Sequence, residues 1–152
     1  MILDRFSCGR PELDYWLRHH AWRSNRQGSA RTYVWSDHDV VVAYYAIAPT
    51  MVQRAGLPRS ASGGLSDVPA YLLARLALDQ GLQTQGYGGF LLLDAIESIC
   101  AAARIGGGRL IVADPIDQAA ASFYEHFGFG RITGGRRMFL RVAAAQVLLD
   151  SD

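Results

Sequence analysis

Two stretches of this chain hold residues whose types and spacing could do chemistry. The first is Gln83-Thr84-Gln85-Gly86-Tyr87-Gly88-Gly89, which follows the apolar run Leu73-Ala74-Arg75-Leu76-Ala77-Leu78-Asp79 and opens a helical pattern. A strand that runs through a glycine-bearing turn into a helix leaves successive backbone N–H groups without partners, at the positive end of the helix dipole. Such a turn can cradle a pyrophosphate, and Gly86 and Gly88 let phosphate oxygens approach the backbone closely. No Gly-Lys-Ser/Thr follows, and the glycines at 86, 88 and 89 have no companion at 91, so neither common nucleotide fingerprint is present. Taken alone, the glycines fit a plain strand-to-helix connector equally well. The second stretch holds Tyr124. A phenol with a pKa of about 10 keeps its proton at neutral pH and can give it to a leaving group that gathers negative charge. By spacing alone, Tyr124 reads more simply as a core aromatic beside Phe123 and Phe127.

Other reactive side chains have plainer readings. Cys8 and Cys100 lie far apart, outside any CxxC pair, and are expected as free thiols, with Cys100 on a core helix face. His19 and His20 lack ligand spacing and His38 falls in a turn, so no metal site is expected. All fifteen basic residues are Arg; the first sixty residues carry a net +3 and the remainder −2. Arg suits bidentate phosphate contacts. Arg23, Arg26, Arg31, Arg54 and Arg75 could line a phosphate-binding face, with Arg136 and Arg137 nearby, or could be an ordinary solvated surface.

The elements that must position these residues follow from periodicity. Residues 11–27 read as a helix that opens on Pro11 and stops at Gly28, with Leu13, Trp16, Leu17, His20 and Ala21 on one face and Arg18, Arg23 and Arg26 on the other. Residues 31–36 and 40–48 read as a hairpin turning at Asp37-His38-Asp39. Residues 49–67 read as a long loop, 71–78 as a strand, 86–104 as a helix ended by three glycines, 110–113 as a buried strand, 118–127 as a short helix and 137–142 as a last strand. Helices alternating with strands predict an α/β fold, a central mixed sheet flanked by helices in one domain over residues 1–152. Half of the residues are hydrophobic and 19% are charged, which suits a packed core and not disorder. No apolar run reaches the length of about 18 residues that a membrane span needs, and the N-terminal residues have no signal-like apolar core. The expected location is therefore cytoplasmic.

The pattern Gln83-x-x-Gly86-x-Gly88 after Ala74-Arg75-Leu76-Ala77-Leu78-Asp79 resembles the acetyl-CoA motif of the GNAT acetyltransferases. Ala119-Ala-Ala-Ser-Phe-Tyr124-Glu-His-Phe-Gly-Phe129 is similar to that family's closing helix. The segments Phe6-Ser-Cys-Gly9, Leu13-Asp-Tyr-Trp-Leu17, Ser29-Ala-Arg-Thr-Tyr-Val34 and Val42-Ala-Tyr-Tyr-Ala46 resemble the toxin subgroup of type II toxin–antitoxin modules, which acetylates the amine of aminoacyl-tRNA. The resemblance implies acetyl-CoA at residues 83–89, its pantetheine arm along Leu76, Ala77 and Leu78, a backbone N–H as a small oxyanion hole, and Tyr124 as the acid. It implies tRNA contacts at Arg23, Arg26, Arg31, Arg54 and Arg75, a cognate DNA-binding antitoxin and a homodimer. No general base stands out, since Glu125 and His126 face away from Tyr124 on a helix. An α-amine titrating near about 8 needs a base less than a lysine at about 10.4 does. The alternatives are an acetyltransferase acting on a small amine or a peptide N-terminus, and a non-catalytic acetyl-CoA-binding protein.

Overall fold

The computed structural model describes residues 1–151. The chain runs α1 (Pro11–His19), α2 (Ala21–Gln27), β1 (Arg31–Asp37), β2 (Val40–Gln53), α3 (Arg59–Ser62), β3 (Asp67–Leu78), α4 (Tyr87–Gly106), β4 (Leu110–Ala113), α5 (Gln118–His126), β5 (Gly130–Arg131), β6 (Met138–Arg141) and α6 (Val142–Asp150). A 3-10 turn at Gln80–Leu82 links β3 to α4. The strands form one mixed sheet in the order β1-β2-β3-β4-β6-β5, the α/β fold expected from the alternation of elements. β3 runs parallel to β4, whereas β1–β2, β4–β6 and β5–β6 are antiparallel pairs. The chain divides into two compact units, Met1–Ala48 with Ala74–Ala95, and Pro49–Leu73 with the residues from Ile96 onward.

In the first unit, the hairpin turns at His38 and Asp39 with both φ angles positive, 50° and 67°. That is the mirror-image two-residue turn whose twist matches paired strands, and short polar side chains tolerate it best. Phe6, Leu17, Ala21, Val41, Tyr44 and Ala77 pack together, with Leu13 and Trp16 half-buried against them. The Tyr44 hydroxyl donates to the Leu13 carbonyl at 2.7 Å. The helix expected over residues 11–27 is in fact two helices, broken at His20 (φ −124°, ψ −24°). His20 is exposed and leaves the apolar face. Local pattern favours a continuous helix, but the break lets each piece bury its own small face, Leu17 in α1 and Ala21 in α2.

In the second unit, Val52, Ala61, Val68, Ala70, Leu110, Val112 and Ile132 form the core. The expected loop over residues 49–67 is shorter than its composition suggests, because β2 continues to Gln53 and β3 begins at Asp67. Between them α3 buries Ala61, and the Arg109 guanidinium donates to the carbonyls of Ala61 (3.2 Å) and Ser60 (3.3 Å). Gly56 passes so close to Thr133 that an added Cβ would collide with its carbonyl oxygen. The sequence reading also missed α6, whose Ala145 is fully buried, and the two-residue β5. Among the described residues, no helix is long and apolar enough to cross a membrane.

Candidate active site

The candidate cofactor loop is built on Asp79, where β3 ends. The Asp79 carboxylate accepts from the amides of Gly81 and Ser7, both at 3.0 Å, and the Gln80 amide donates to the Ser7 carbonyl at 2.8 Å. The side-chain amide of Gln83 donates to the carbonyls of Leu78 (2.7 Å) and Cys8 (2.8 Å). Thr84 Oγ1 donates to the Gln83 carbonyl at 2.6 Å, and the Gln85 amide donates to the Gly81 carbonyl at 3.0 Å. The polar side chains of the turn are thus spent on carbonyl oxygens. None of the hydrogen bonds among the described residues uses the backbone amide of Thr84, Gln85 or Gly86. The first amides of α4 have no helical acceptor by construction, and its first turn carries no acid. The result is a run of free donors suited to a polyanion.

Two backbone angles shape this turn. Gly86 sits at φ +86°, and a Cβ there would meet nothing within 4 Å, so the space in front of it is open to a ligand. Thr84 lies at φ +64°, an unusual setting for a β-branched residue that costs of the order of 1–3 kcal/mol. These features fit a pyrophosphate: donors outward, carbonyls tied back, no Cβ in the way. β3 pairs with β4 only over Ala70–Leu73, so the Leu76–Leu78 stretch lies past that ladder. Ala77 is buried, and Leu76 and Leu78 are half-buried.

Tyr124 lies on α5, a helix started by Asp117, whose side chain caps the Ala120 amide at 2.8 Å. Its ring is 8% exposed and packs against Phe123 (5.7 Å between centroids) and Phe129 (5.2 Å). The expected neighbour Phe127 packs on Phe123 instead. The Tyr124 hydroxyl makes no hydrogen bond among the described residues, yet it is not a sealed, unsatisfied atom. A buried ring thus presents a free hydroxyl at the surface. Burial, reinforced by the negative charge of Asp114, pushes its pKa up to about 12. The group holds its proton throughout the neutral range.

Asp114 is a site feature that spacing along the chain could not reveal. It follows β4 and takes a two-pronged contact from the Arg137 guanidinium, at 2.7 and 2.8 Å. That contact holds the Asp114 carboxyl below its ordinary value. Because the folded pKa is depressed, the stabilisation is present above the usual carboxylate value and fades as pH falls through the folded one. The pair is partly exposed, so Asp114→Asn should cost only about 1 kcal/mol or less. Thermal melts of wild type and variant should differ at pH 7 and converge in acid; equal melts at both would show the pair to be inert.

The structure divides the expected Arg set. Arg23, Arg26 and Arg31 are exposed and make no ion pair among the described residues. Arg75 is half-buried, with its guanidinium 4.1 Å from the Trp16 ring centre, and burial lowers its pKa. Arg54 belongs to the second unit, where it donates to the Gly64 carbonyl at 3.4 Å. Arg137 is committed to Asp114, and Arg136 donates to the Pro115 carbonyl at 3.4 Å.

Known proteins match this chain along most of its length. A tRNA-acetylating toxin of Mycobacterium tuberculosis is 39% identical over 125 residues, covering 82% of this chain and 75% of the relative. The solved structure of AtaT complexed with acetyl-methionyl-tRNAfMet superposes with a TM-score of 0.87 at 27% identity, over 96% of this chain and 91% of that one. A Tyr-to-Phe variant of AtaT, bound to the C-terminus of the antitoxin AtaR and to acetyl-CoA, superposes with a TM-score of 0.84 at 25% identity, over 97% and 89%. Residues 2–129 match the family model described as Acetyltransferase (GNAT) family. With its glycine turn, its α5 tyrosine and this match, the chain belongs to the GNAT acetyltransferase family.

Proposed function

We propose that this chain is an acetyl-CoA-dependent N-acetyltransferase that modifies the α-amine of an aminoacyl-tRNA in the cytoplasm, a toxin restrained by a cognate DNA-binding antitoxin. The observation that carries this reading is the likeness, across 82% of the chain, to a protein named as a tRNA-acetylating toxin. The two related structures add their own weight, since one AtaT complex holds acetyl-methionyl-tRNAfMet and another holds acetyl-CoA and the antitoxin's C-terminus. Acetyl-CoA, when bound, supplies a thioester acyl group for an amine to take.

Each part of the work falls to named residues. Within the turn at residues 83–89, the amides of 84–89 hold the pyrophosphate at the start of α4. The backbone of Leu76, Ala77 and Leu78 aligns the pantetheine arm, with the Leu78 carbonyl already shared with Gln83. Tyr124 keeps a proton at Oη and presents it to the sulfur as negative charge builds there, and the proton lost by the amine restores it. Since its pKa of about 12 exceeds that of a thiol, at about 8.5, a strong hydrogen bond to the sulfur does most of this work. Arg23, Arg26 and Arg31 take the tRNA backbone, with Arg54 and Arg75 as further contacts. The chain works as one domain over residues 1–152.

The test is direct. The protein is incubated with acetyl-CoA and charged total tRNA, and N-acetyl-aminoacyl-tRNA is sought by mass spectrometry. A product names the amino acid; none, from a protein that folds and binds acetyl-CoA, moves the reading to a small amine. Arg23→Glu and Arg31→Glu should each weaken tRNA binding and flatten its salt dependence, because every neutralised phosphate releases counterions. Acetyl-CoA affinity should hold in both variants. A small-amine enzyme would show no salt-dependent tRNA binding to lose.

A further inference from the structure

We propose that the exposed aromatic side chains of α1 and α2, namely Trp22 and the Tyr15–His19 pair, form a stacking surface for unpaired nucleotides of the tRNA. This inference rests on the tRNA reading above. From Tyr15 to Ser36 the chain holds four Arg, two His and no Asp or Glu. Of the two acids on α1, Asp14 is buried and accepts the Cys8 amide at 3.0 Å, and only Glu12, one turn ahead of Tyr15, is exposed, so the two helices keep a positive excess at the surface. Within this acid-free run Trp22 is 73% exposed and Tyr15 is 56% exposed. The Tyr15 ring lies 4.3 Å from the His19 ring and 5.6 Å from that of His20, a cluster of planar groups held together outside the core. Arg26 follows Trp22 by one helical turn, and Arg23 adjoins it. Arg18 is anchored to the Phe6 carbonyl at 2.6 Å, leaving Arg23 and Arg26 of these helices free to bind phosphate.

Charge decides the occupant. In a symmetric dimer, a face meets its own copy. Here that would set Arg18, Arg23 and Arg26 against their own copies, with Glu12 as the one exposed carboxylate of the two helices to pair with them. An RNA strand matches both features of the face at once. Its phosphates suit the guanidinium groups, and its splayed bases suit flat exposed rings, which accept any base because every base has a π-face.

The experiment uses the whole protein and two probes: deacylated total tRNA, and a fully paired RNA duplex of similar length. Trp22→Ala and Tyr15→Ala should each weaken tRNA binding about tenfold without changing its salt slope, since stacking releases no counterions. Duplex binding and acetyl-CoA affinity should stay as in wild type, and Trp22→Tyr should restore tRNA binding. Arg23→Gln should do the converse, lowering the slope by about one on both probes. Equal loss on tRNA and duplex, or no loss on either, overturns the stacking surface while leaving the tRNA reading in place. Loss of a dimer in sedimentation by Trp22→Ala, with tRNA affinity kept, assigns the face to a second copy and also overturns it. Failure of wild type to bind tRNA at all removes both readings together.

Discussion

Tyr124→Phe should lower the single-turnover rate of acetyl transfer by about 10²–10⁴-fold, the range that one positioned proton donor contributes. The variant removes a single oxygen. The ring contacts with Phe123 and Phe129 survive, and no hydrogen bond among the described residues is lost, because the hydroxyl makes none. Melting temperature and acetyl-CoA affinity should therefore match wild type, which separates a chemical role from a packing one. The pH profile gives a second check. An ordinary phenol begins to ionise near about 10, whereas burial and Asp114 raise this one to about 12. The proton needed at Tyr124 is thus still in place well above pH 10. Wild-type rates, measured by rapid mixing to outrun ester hydrolysis, should rise as the acceptor amine loses its proton below about pH 8, where the electron-withdrawing ester places it, and then stay level through about pH 10.5. A Phe variant as fast as wild type would exclude Tyr124 as the acid, whereas a falling limb near pH 10 would return its ionisation to the ordinary phenol value and exclude only the effect of burial.

Gly88→Val should weaken acetyl-CoA binding by about 10–100-fold, with little effect on stability. Gly88 lies in the first turn of α4 and is not among the residues with positive φ, so Val there meets no backbone strain. What it adds is bulk where phosphate oxygens must come close to the amides. Crowding a fitted contact costs about 1–3 kcal/mol, which converts to that loss of affinity. Gly86→Val is the less clean experiment, because φ +86° would strain any side chain whether or not a ligand binds. Calorimetry that finds Gly88→Val equal to wild type would mean that the pyrophosphate does not approach this turn.

Part of the candidate site is legible in the sequence, and the limits have physical causes. Local signals found the turn: an apolar strand, a Gly-x-Gly step and a helical period are adjacent in sequence and need no tertiary information. The same held for Tyr124 on its short helix, although spacing alone favoured a core role. Its buried ring is what the core reading asks of it, and its free hydroxyl leaves the acid role to the kinetic test above. What escaped was long-range. Arg137 reaches Asp114 across 23 residues, and no pattern in either segment announces it. The role of the Gln83 side chain is also invisible in the sequence: the motif places residue 83 in the cofactor turn, and its amide joins two carbonyls, one of them 75 residues away. Errors in the elements came where composition misleads. Gly, Ser and Pro between residues 49 and 67 concealed the end of β2 and a short helix. The break at His20 has no Pro or Gly to mark it.

The ties between the Ser7–Cys8 segment and the turn at residues 79–83 have a thermodynamic consequence. Hydrogen bonds from Ser7 to Asp79, Gln80 to Ser7 and Gln83 to Cys8 tie the segment to that turn, and Gln83 to Leu78 and Gly81 to Asp79 brace it from within. A loop ordered in advance does not charge its ordering entropy against the ligand that settles on it. The arrangement is also reciprocal, since whatever the segment contributes to the ligand's affinity the ligand must return to the segment. Hydrogen exchange at the Ser7 and Gln80 amides should therefore slow when acetyl-CoA saturates the protein, though neither need touch it. Loosening the clasp from its far end, for instance by Ser7→Pro, should raise the cofactor's dissociation rate from a position well outside the glycine turn.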